Sequence, residues 1–453
     1  MPPELRDYFL AMQATPDVNC TAQLANQSRP TSAELGLSPW DPMDELESLP
    51  TRIAFLNQLT EQVCTNRSSR PGPGASLRVA AYTVWMGDTW GLRRALLPWL
   101  QWHTQLGVCR FYVAFQGTNQ TTLEALRGIA SVRLILFSPP FADPGLARDW
   151  EAFAVKYPRA QQQGNSRLMA LQNFAGRQAV ALAQAEGQHW LAHIDADELL
   201  LPATTLQGDL DAVPEHYACI RMLNHESLVE SVDVVNKIEE VTLFKTNENA
   251  KSHVGRWRWD FRIGTHSRVF MMYYNGKPMV RTDRGKVWPN GPHDFQGEAH
   301  ASFKHPKLNP RGKWPRKFNS SIAVLHLTLT NWQDVIGKAR VSCPPEYREA
   351  ALAGNRTKLS ECLLLNADRE AYTAAARGEE AAKAWWMANC LLSEGSVRGD
   401  GTRCRAYRGV RGHGGLIDGL TRHGVLHRIL APQQTLRAHE LAIRALLQSA
   451  KPP

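Results

Sequence analysis

Three stretches of nearly continuous apolar residues mark the first half of the chain: Leu77–Trp85 (LRVAAYTVW), Val108–Phe115 (VCRFYVAF) and Val132–Phe137 (VRLILF). Short runs of this kind, rich in β-branched and aromatic residues, predict buried strands. Between them the spacing becomes helical. Residues 90–106 (WGLRRALLPWLQWHTQL) predict a helix that Pro98 kinks and Gly107 ends. Thr121–Ile129 predicts a second, shorter helix. Strand, helix, strand, helix, strand is the signature of parallel βαβ units, so the fold class is α/β.

Further on, 139–166 reads as a polar loop and 167–186 (RLMALQNFAGRQAVALAQAE) as a long helix ending at Gly187. The run His189–Glu198 (HWLAHIDADE) then predicts a strand that leads into Asp195, Asp197 and Glu198. Residues 218–330 alternate apolar runs with Gly/Pro-rich and aromatic loops. Residues 346–453 are helical in composition, broken by a Gly/Arg-rich stretch at 394–415. Residues 1–75 read as a stem or extension, with a helix around 43–64 and a Pro/Gly linker at 68–74. Three regions result: 1–75, a core at 76–345, and a helical region at 346–453.

Composition narrows the class. With 453 residues, 43% hydrophobic and 21% charged, the chain is neither largely disordered nor collagen-like nor a multi-pass membrane protein. No run approaches the ~18 apolar residues of a membrane span, and Met1–Arg6 begins no apolar leader; membrane association would need an anchor absent from this chain. A net charge of +9 favours acidic partners such as nucleotide phosphates. The eight cysteines contain no CxxC pair, which argues against a structural zinc site. Cys343, Cys362, Cys390 and Cys404 are candidates for one or two disulfides. N-x-S/T sequons at Asn19, Asn26, Asn66, Asn119, Asn319 and Asn355 lean toward a secretory lumen.

The chemistry concentrates at Asp195 and Asp197. Alternate residues of an extended chain point the same way, so both carboxylates converge. In an open parallel sheet, ligands bind beyond the carboxyl ends of the strands. Two converging carboxylates repel unless a cation joins them. A hard divalent ion fits, and its remaining positions suit pyrophosphate oxygens. Such an ion offsets the charge of a departing diphosphate. A single Asp-x-Asp is more often a solvated loop. The apolar strand and the long helix before it distinguish this one.

Gly187–Pro202 (GQHWLAHIDADELLLP) resembles the W-hydrophobic-x-x-I-D-x-D-E-F block of glycosyltransferase family 92 and related family-2-like enzymes. The preceding helix, with Gln172 and Gln178, resembles theirs as well. Upstream, Leu96–His103 (LLPWLQWH) followed by Leu106-Gly107-Val108 is similar to their E-W-x-x-Y-H-x-x-L-G-V segment. Downstream, Val324-Leu325-His326, with Trp332 and Lys338, is similar to their H-Y-x-x-x-S-x-x-x-F-x-x-K ending. The resemblance spans residues 78–340. It implies a GT-A fold, a Rossmann-like nucleotide-sugar-binding sandwich. It implies Mn²⁺ or Mg²⁺ and a nucleotide-sugar donor, by default a UDP-sugar. By position, Asp195 and Asp197 would hold the metal and donor diphosphate, His326 would complete the metal shell, and Lys338 would lie near phosphate. The implied reaction moves a hexose or pentose to a glycan or glycoprotein hydroxyl. With the sequons, it implies the Golgi lumen.

The chain departs from the family pattern after its first strand, at Trp85-Met-Gly-Asp-Thr89, where Asp88 is a candidate to substitute as donor-binding acid. It departs again after the second, at Phe115-Gln-Gly-Thr-Asn-Gln120. A loop at Lys286–Phe295 supplies His293 as a rival metal ligand. Asp294 and Glu226 are candidates for the base that an inverting transfer needs. Trp257, Trp259 and Trp288, with Lys251, Arg256, Arg258 and Arg268 nearby, suggest a wall facing donor or acceptor, against the ordinary reading of tryptophan as core filler. Two rivals compete. A haloacid-dehalogenase-like phosphatase also places Asp-x-Asp after a strand, but its motif continues with Thr or Val two residues on, where this chain has Leu199, and here several strands precede the pair. A non-catalytic binder of anionic glycan or nucleic acid would use the basic, aromatic segments 256–262 and 304–317. The transferase reading expects no nucleic acid.

Overall fold

The computed structural model describes residues 48–68, 77–87, 91–136, 143–157, 164–215, 217–234, 236–247, 262–263, 275–283, 285–297, 318–363, 365–391, 397–398, 421 and 426–449. Asp88, Lys251, Arg256, Trp257, Arg258, Trp259, Arg268 and Cys404 lie outside the described residues, as do the segment 304–317 and nearly all of the 68–74 linker.

The strands are β1 (Val79–Trp85), β2 (Val108–Phe115), β3 (Val132–Leu136), β4 (Trp190–His193), β5 (Glu198–Leu201), β6 (Cys219–Leu228), β7 (Leu243–Lys245), β8 (Arg262–Ile263), β9 (Lys277–Arg281), β10 (Val287–Pro289), β11 (Phe295–Gly297), β12 (Phe318–His326), β13 (Val397–Arg398) and β14 (Leu426–Arg428). Ten of them form one sheet in the order β14-β7-β6-β9-β4-β1-β2-β3, with β12 joined to β6 and β5 joined to β12. Its first-half strands β3, β2, β1 and β4 run parallel, as the βαβ pattern predicts. β12 runs parallel to β6 and antiparallel to β5. β9 is antiparallel to both β4 and β6 and joins the two halves. The result is a mixed α/β, GT-A-like Rossmann-type fold.

Period-two alternation divides each central strand between two cores. On β1, Val79, Ala81 and Trp85 face one core, while Ala80 and Tyr82 face the other. The helix Leu97–Leu106 fills the first core with Trp99, Leu100 and Trp102. The helix Gly164–Ala185 fills the second through Ala170, Leu171, Phe174, Ala175, Ala179 and Ala183, a spacing that makes one helical face. Fully buried side chains such as Trp99, Trp190 and Phe111 contribute about 1.5–3 kcal/mol each.

Three local expectations change. The kink expected at Pro98 takes the form of a π-helical turn: the helical run is unbroken over 91–106, and Leu92–Leu96, directly before Pro98, is wound as a π-helix, which accommodates the missing N–H and the bulk of the ring. The expected loop at 139–166 contains a helix, Pro144–Lys156. Asp143 caps it, accepting from Gly145 N–H (2.7 Å), and Pro144 opens its first turn. That start signal was present in the sequence. The helix expected at 43–64 runs Leu49–Ser68 and buries Leu49, Leu56 and Leu59. It is tied to β2 by the Cys64–Cys109 disulfide, and Arg52 on it forms a bidentate pair with Glu440 at 2.7 and 2.9 Å. Of the expected cysteine group, Cys343 and Cys362 are bonded to each other, while Cys390 is a buried free thiol.

Candidate active site at the carboxyl end of β4

β4 ends at His193, and the chain then turns tightly through Asp195 to Glu198. The turn is closed twice: Glu198 N–H donates to Asp195 O (3.0 Å), and Glu198 Oε2 accepts from Asp195 N–H (2.9 Å). Asp195 is held on both oxygens. Oδ1 accepts from Gln172 Nε2 at 3.2 Å and lies 3.3 Å from His193 Nε2. Oδ2 accepts from Lys277 Nζ at 2.5 Å. The Lys277 ammonium also stands 3.4 Å from Glu198 Oε2. Burial works against the Asp195 charge, but Lys277, aided by His193, holds its carboxyl well below the usual carboxylate range. Burial pushes Glu198 well above it, and the neighbouring Asp195 and Asp197 add to the rise against the pull of Lys277. The two neighbouring carboxyls are thus pushed in opposite directions, Asp195 toward its charged form and Glu198 toward its neutral one.

Lys277 is placed by the sheet. β9 runs antiparallel to β4 with Ala192 opposite Met279, which brings Lys277 to the carboxyl end of β4. On its other side Lys277 pairs with Met222 of β6. Gly276 makes this approach possible: its φ is +73°, and an added Cβ would lie 2.0 Å from Met222 O. His193 stacks flat on Tyr82 of β1, ring centroids 4.4 Å apart. Burial first, and then Lys277, lowers its pKa, so the imidazole is neutral at physiological pH.

Asp197 is more open, with 35% of its side chain exposed. Its Oδ2 lies 3.8 Å from Nε2 of His326, the last residue of β12, and its carbonyl accepts from Leu327 N–H at 2.8 Å. His326 stands in register between Glu198 of β5 and Glu226 of β6. Burial lowers the pKa of His326 despite Asp197 and Glu226, and the neutral ring is suited to ligate a cation. Glu226 is fully buried and accepts from Lys245 Nζ at 2.5 Å. Lys338 donates to Asp368 at 2.8 Å. Burial opposes its charge, but Asp368 wins, and Asp197 and Glu226 add to the same rise. Just past His326, Leu329 has φ +46°, the one positive-φ non-glycine among the described residues, and Trp386 Nε1 donates to its carbonyl at 2.7 Å.

The structure thus brings Asp195, Asp197, His326, Glu226 and Lys338 to one edge of the sheet. On the β10–β11 hairpin, His293 Nδ1 bonds Gly276 O (2.8 Å), and Asn290 N–H donates to Asp294 O at 2.8 Å. Burial and Lys277 push His293 down to about 3. Trp288 on the same hairpin donates to Gln296 Oε1 at 3.3 Å. The residues that sequence reasoning missed are Lys277, Lys245, His193 and Glu198. His193 had a signal, since it shares the alternation of Asp195 and Asp197. Isolated lysines in Gly276-Lys277-Pro278 and Phe244-Lys245-Thr246 had none.

The upstream segment Trp102-His103 has a mechanical role. His103 Nε2 accepts from Leu200 N–H (3.1 Å), Trp102 Nε1 donates to Leu200 O (2.8 Å), and His103 Nδ1 donates to Trp99 O (2.7 Å). Helix and β5 are locked together one turn from the acids.

Two Arabidopsis thaliana proteins align with this chain. Glycosyltransferase-like At2g41451 is 26% identical over 347 residues, covering 74% of this chain and 67% of that protein. Glycosyltransferase-like At3g57200 is 24% identical over 371 residues, covering 79% of this chain and 64% of that protein. The chain is similar to glycosyltransferase-like proteins. It spans about two thirds of the length of these relatives. No family model matches the chain. Among the described residues, no helix is long and apolar enough to cross a membrane.

Proposed function

We propose that the chain is a metal-assisted glycosyltransferase. It uses the Asp195–Asp197 turn and His326 to hold the diphosphate of a nucleotide-sugar, by family resemblance a UDP-sugar, and passes a hexose or pentose to a glycan or glycoprotein hydroxyl. The observation that carries this reading is the pairing of a partly exposed carboxylate, Asp197, with a neutral imidazole, His326, 3.8 Å apart beyond the carboxyl ends of parallel strands. Metal bonds of ~2.0–2.2 Å to oxygen and nitrogen reach across that separation. Among the described residues no three His, Cys, Asp or Glu side chains group to hold a metal by themselves. Two protein ligands leave positions for diphosphate oxygens, which suits Mn²⁺ or Mg²⁺. When bound, such an ion stabilises charge on the departing diphosphate.

The chain's own residues orient the donor and take a proton. Lys338, at the same edge, adds positive charge for phosphate. Of the two candidate bases, Asp294 is the better placed: it is partly exposed, whereas Glu226 is buried on Lys245. A base removes the acceptor proton as the oxygen attacks. Two disulfides among the described residues and six sequons in the sequence support an oxidising, secretory compartment such as the Golgi lumen.

The test is thermal unfolding with a panel of nucleoside diphosphates, with and without Mn²⁺, followed by release of UDP from UDP-sugars. A ligand at a hundredfold over its dissociation constant adds about 2.7 kcal/mol. A metal-dependent rise for one nucleotide, lost in Asp197→Ala, is expected. No rise with any nucleotide in a folded protein would sink the reading.

A further inference from the structure

We infer that Lys277 acts as a built-in counterion that takes Asp195 out of metal binding, so that among the described residues Asp197 and His326 are the divalent ion's protein ligands and Asp195 is a positioning residue. The inference rests on the metal-assisted reading above and refines it, since resemblance alone assigns the ion to both acids. Both oxygens of Asp195 are already engaged, although 28% of its side chain is exposed: Gln172 and His193 face Oδ1 at 3.2 and 3.3 Å, and Lys277 is bound to Oδ2 at 2.5 Å. A divalent ion approaching Asp195 would meet an ammonium already in place.

Lys277 cannot easily yield that place. Its side chain is 1% exposed, and its strand is bonded to β4 on one side and to β6 on the other. Gly276 fixes the backbone against Met222, with no room for a side chain. Displacing the ammonium from Asp195 and Glu198 would leave a buried charge unpaired. The Asp195–Glu198 turn that carries Asp197 toward His326 is closed by its own bonds, from Glu198 N–H to Asp195 O and from Asp195 N–H to Glu198 Oε2, and so does not depend on the ammonium. Lys277 acts through its charge, which cancels that of Asp195 before any metal arrives.

The experiment measures Mn²⁺ binding by the electron paramagnetic resonance signal of free Mn²⁺, with Mn²⁺ alone and with UDP, and checks folding by melting. Asp197→Asn and His326→Ala are expected to weaken binding at least about a hundredfold, and Asp195→Asn, which leaves the Lys277 charge uncancelled, about tenfold. The distinguishing result is rescue. Adding Lys277→Met to Asp195→Asn removes both charges and is expected to return Mn²⁺ affinity to within about threefold of the native protein. If Asp195 is a ligand, the double variant stays as weak as Asp197→Asn, and the inference is overturned. Should the double variant fail to fold, the two isosteric single variants decide: equal losses at Asp195 and Asp197 overturn the inference, and a loss at least about tenfold smaller at Asp195 supports it. Native protein that binds no Mn²⁺ even with UDP brings down the metal-assisted reading itself, and the division of labour with it.

Discussion

Single residues at this site work through their backbone surroundings as much as through their side chains. Gly276 is the clearest case, because its φ is +73° and a Cβ there would overlap Met222 O. Gly276→Ala is expected to cost about 3 kcal/mol or more, by strain and by forcing β9 away from β6. A urea titration would read this as a lower midpoint at unchanged slope, and a loss under about 1 kcal/mol would show that the contact relaxes. His103 has no reach to a ligand and serves the fold. Its removal in His103→Ala leaves the Leu200 N–H and the Trp99 carbonyl without that partner, at about 1–3 kcal/mol for a buried group left unpaired. Equilibrium unfolding measures that loss directly.

At the scale of elements, the site is made where strands of distant sequence meet. β4 brings the acids, β9 brings Lys277, β12 brings His326, and β6 lies beside both β9 and β12. The helix Leu49–Ser68 is fastened far from this edge, because Cys109 stands at the amino end of β2. A bridge closing a loop of sequence separation 45 stabilises by about 4 kcal/mol. Cys64→Ser with Cys109→Ser is therefore expected to lower the melting temperature and leave Mn²⁺·UDP binding within about twofold, since bridge and site lie at opposite ends of the sheet. Loss of ligand binding in a protein that still folds would contradict this separation.

Across the whole molecule, buried neutral histidines couple stability to pH. Burial lowers His103, His225 and His293 to about 3 and His427 to about 4, from an ordinary value of 6.5. The folded protein keeps these rings neutral, while the unfolded chain protonates them below 6.5. Their contribution is complete above 6.5 and is lost as pH falls toward 3–4. Each contributes a slope of about 1.4 kcal/mol per pH unit in that window. The urea midpoint should be level above pH 7 and fall steeply between 6.5 and 4.5. A flat profile from pH 7 to 5 would show that these rings are not held neutral.

The strands β1 to β4, the helix after β3's loop and the two acids were legible in the sequence because they depend on local pattern: apolar runs, helical spacing and alternation are written within a few residues of one another. The helix Pro144–Lys156 was legible too, through its start signal Asp143-Pro144 and the apolar residues Leu146, Trp150 and Phe153 at helical spacing. Lys277 and Lys245 were not legible. Each is a lone cation in its segment, and its meaning comes only from register, β9 beside β4 and β7 beside β6. His326 carried a family resemblance, yet its place between Glu198 and Glu226 follows from β12 pairing with two strands that are far away in sequence. The sequence by itself determined which segments form strands and helices and that two carboxylates end β4. Only the tertiary structure decided which cation stands against which carboxylate, because an ion pair depends on distances of a few ångströms that long-range strand order sets.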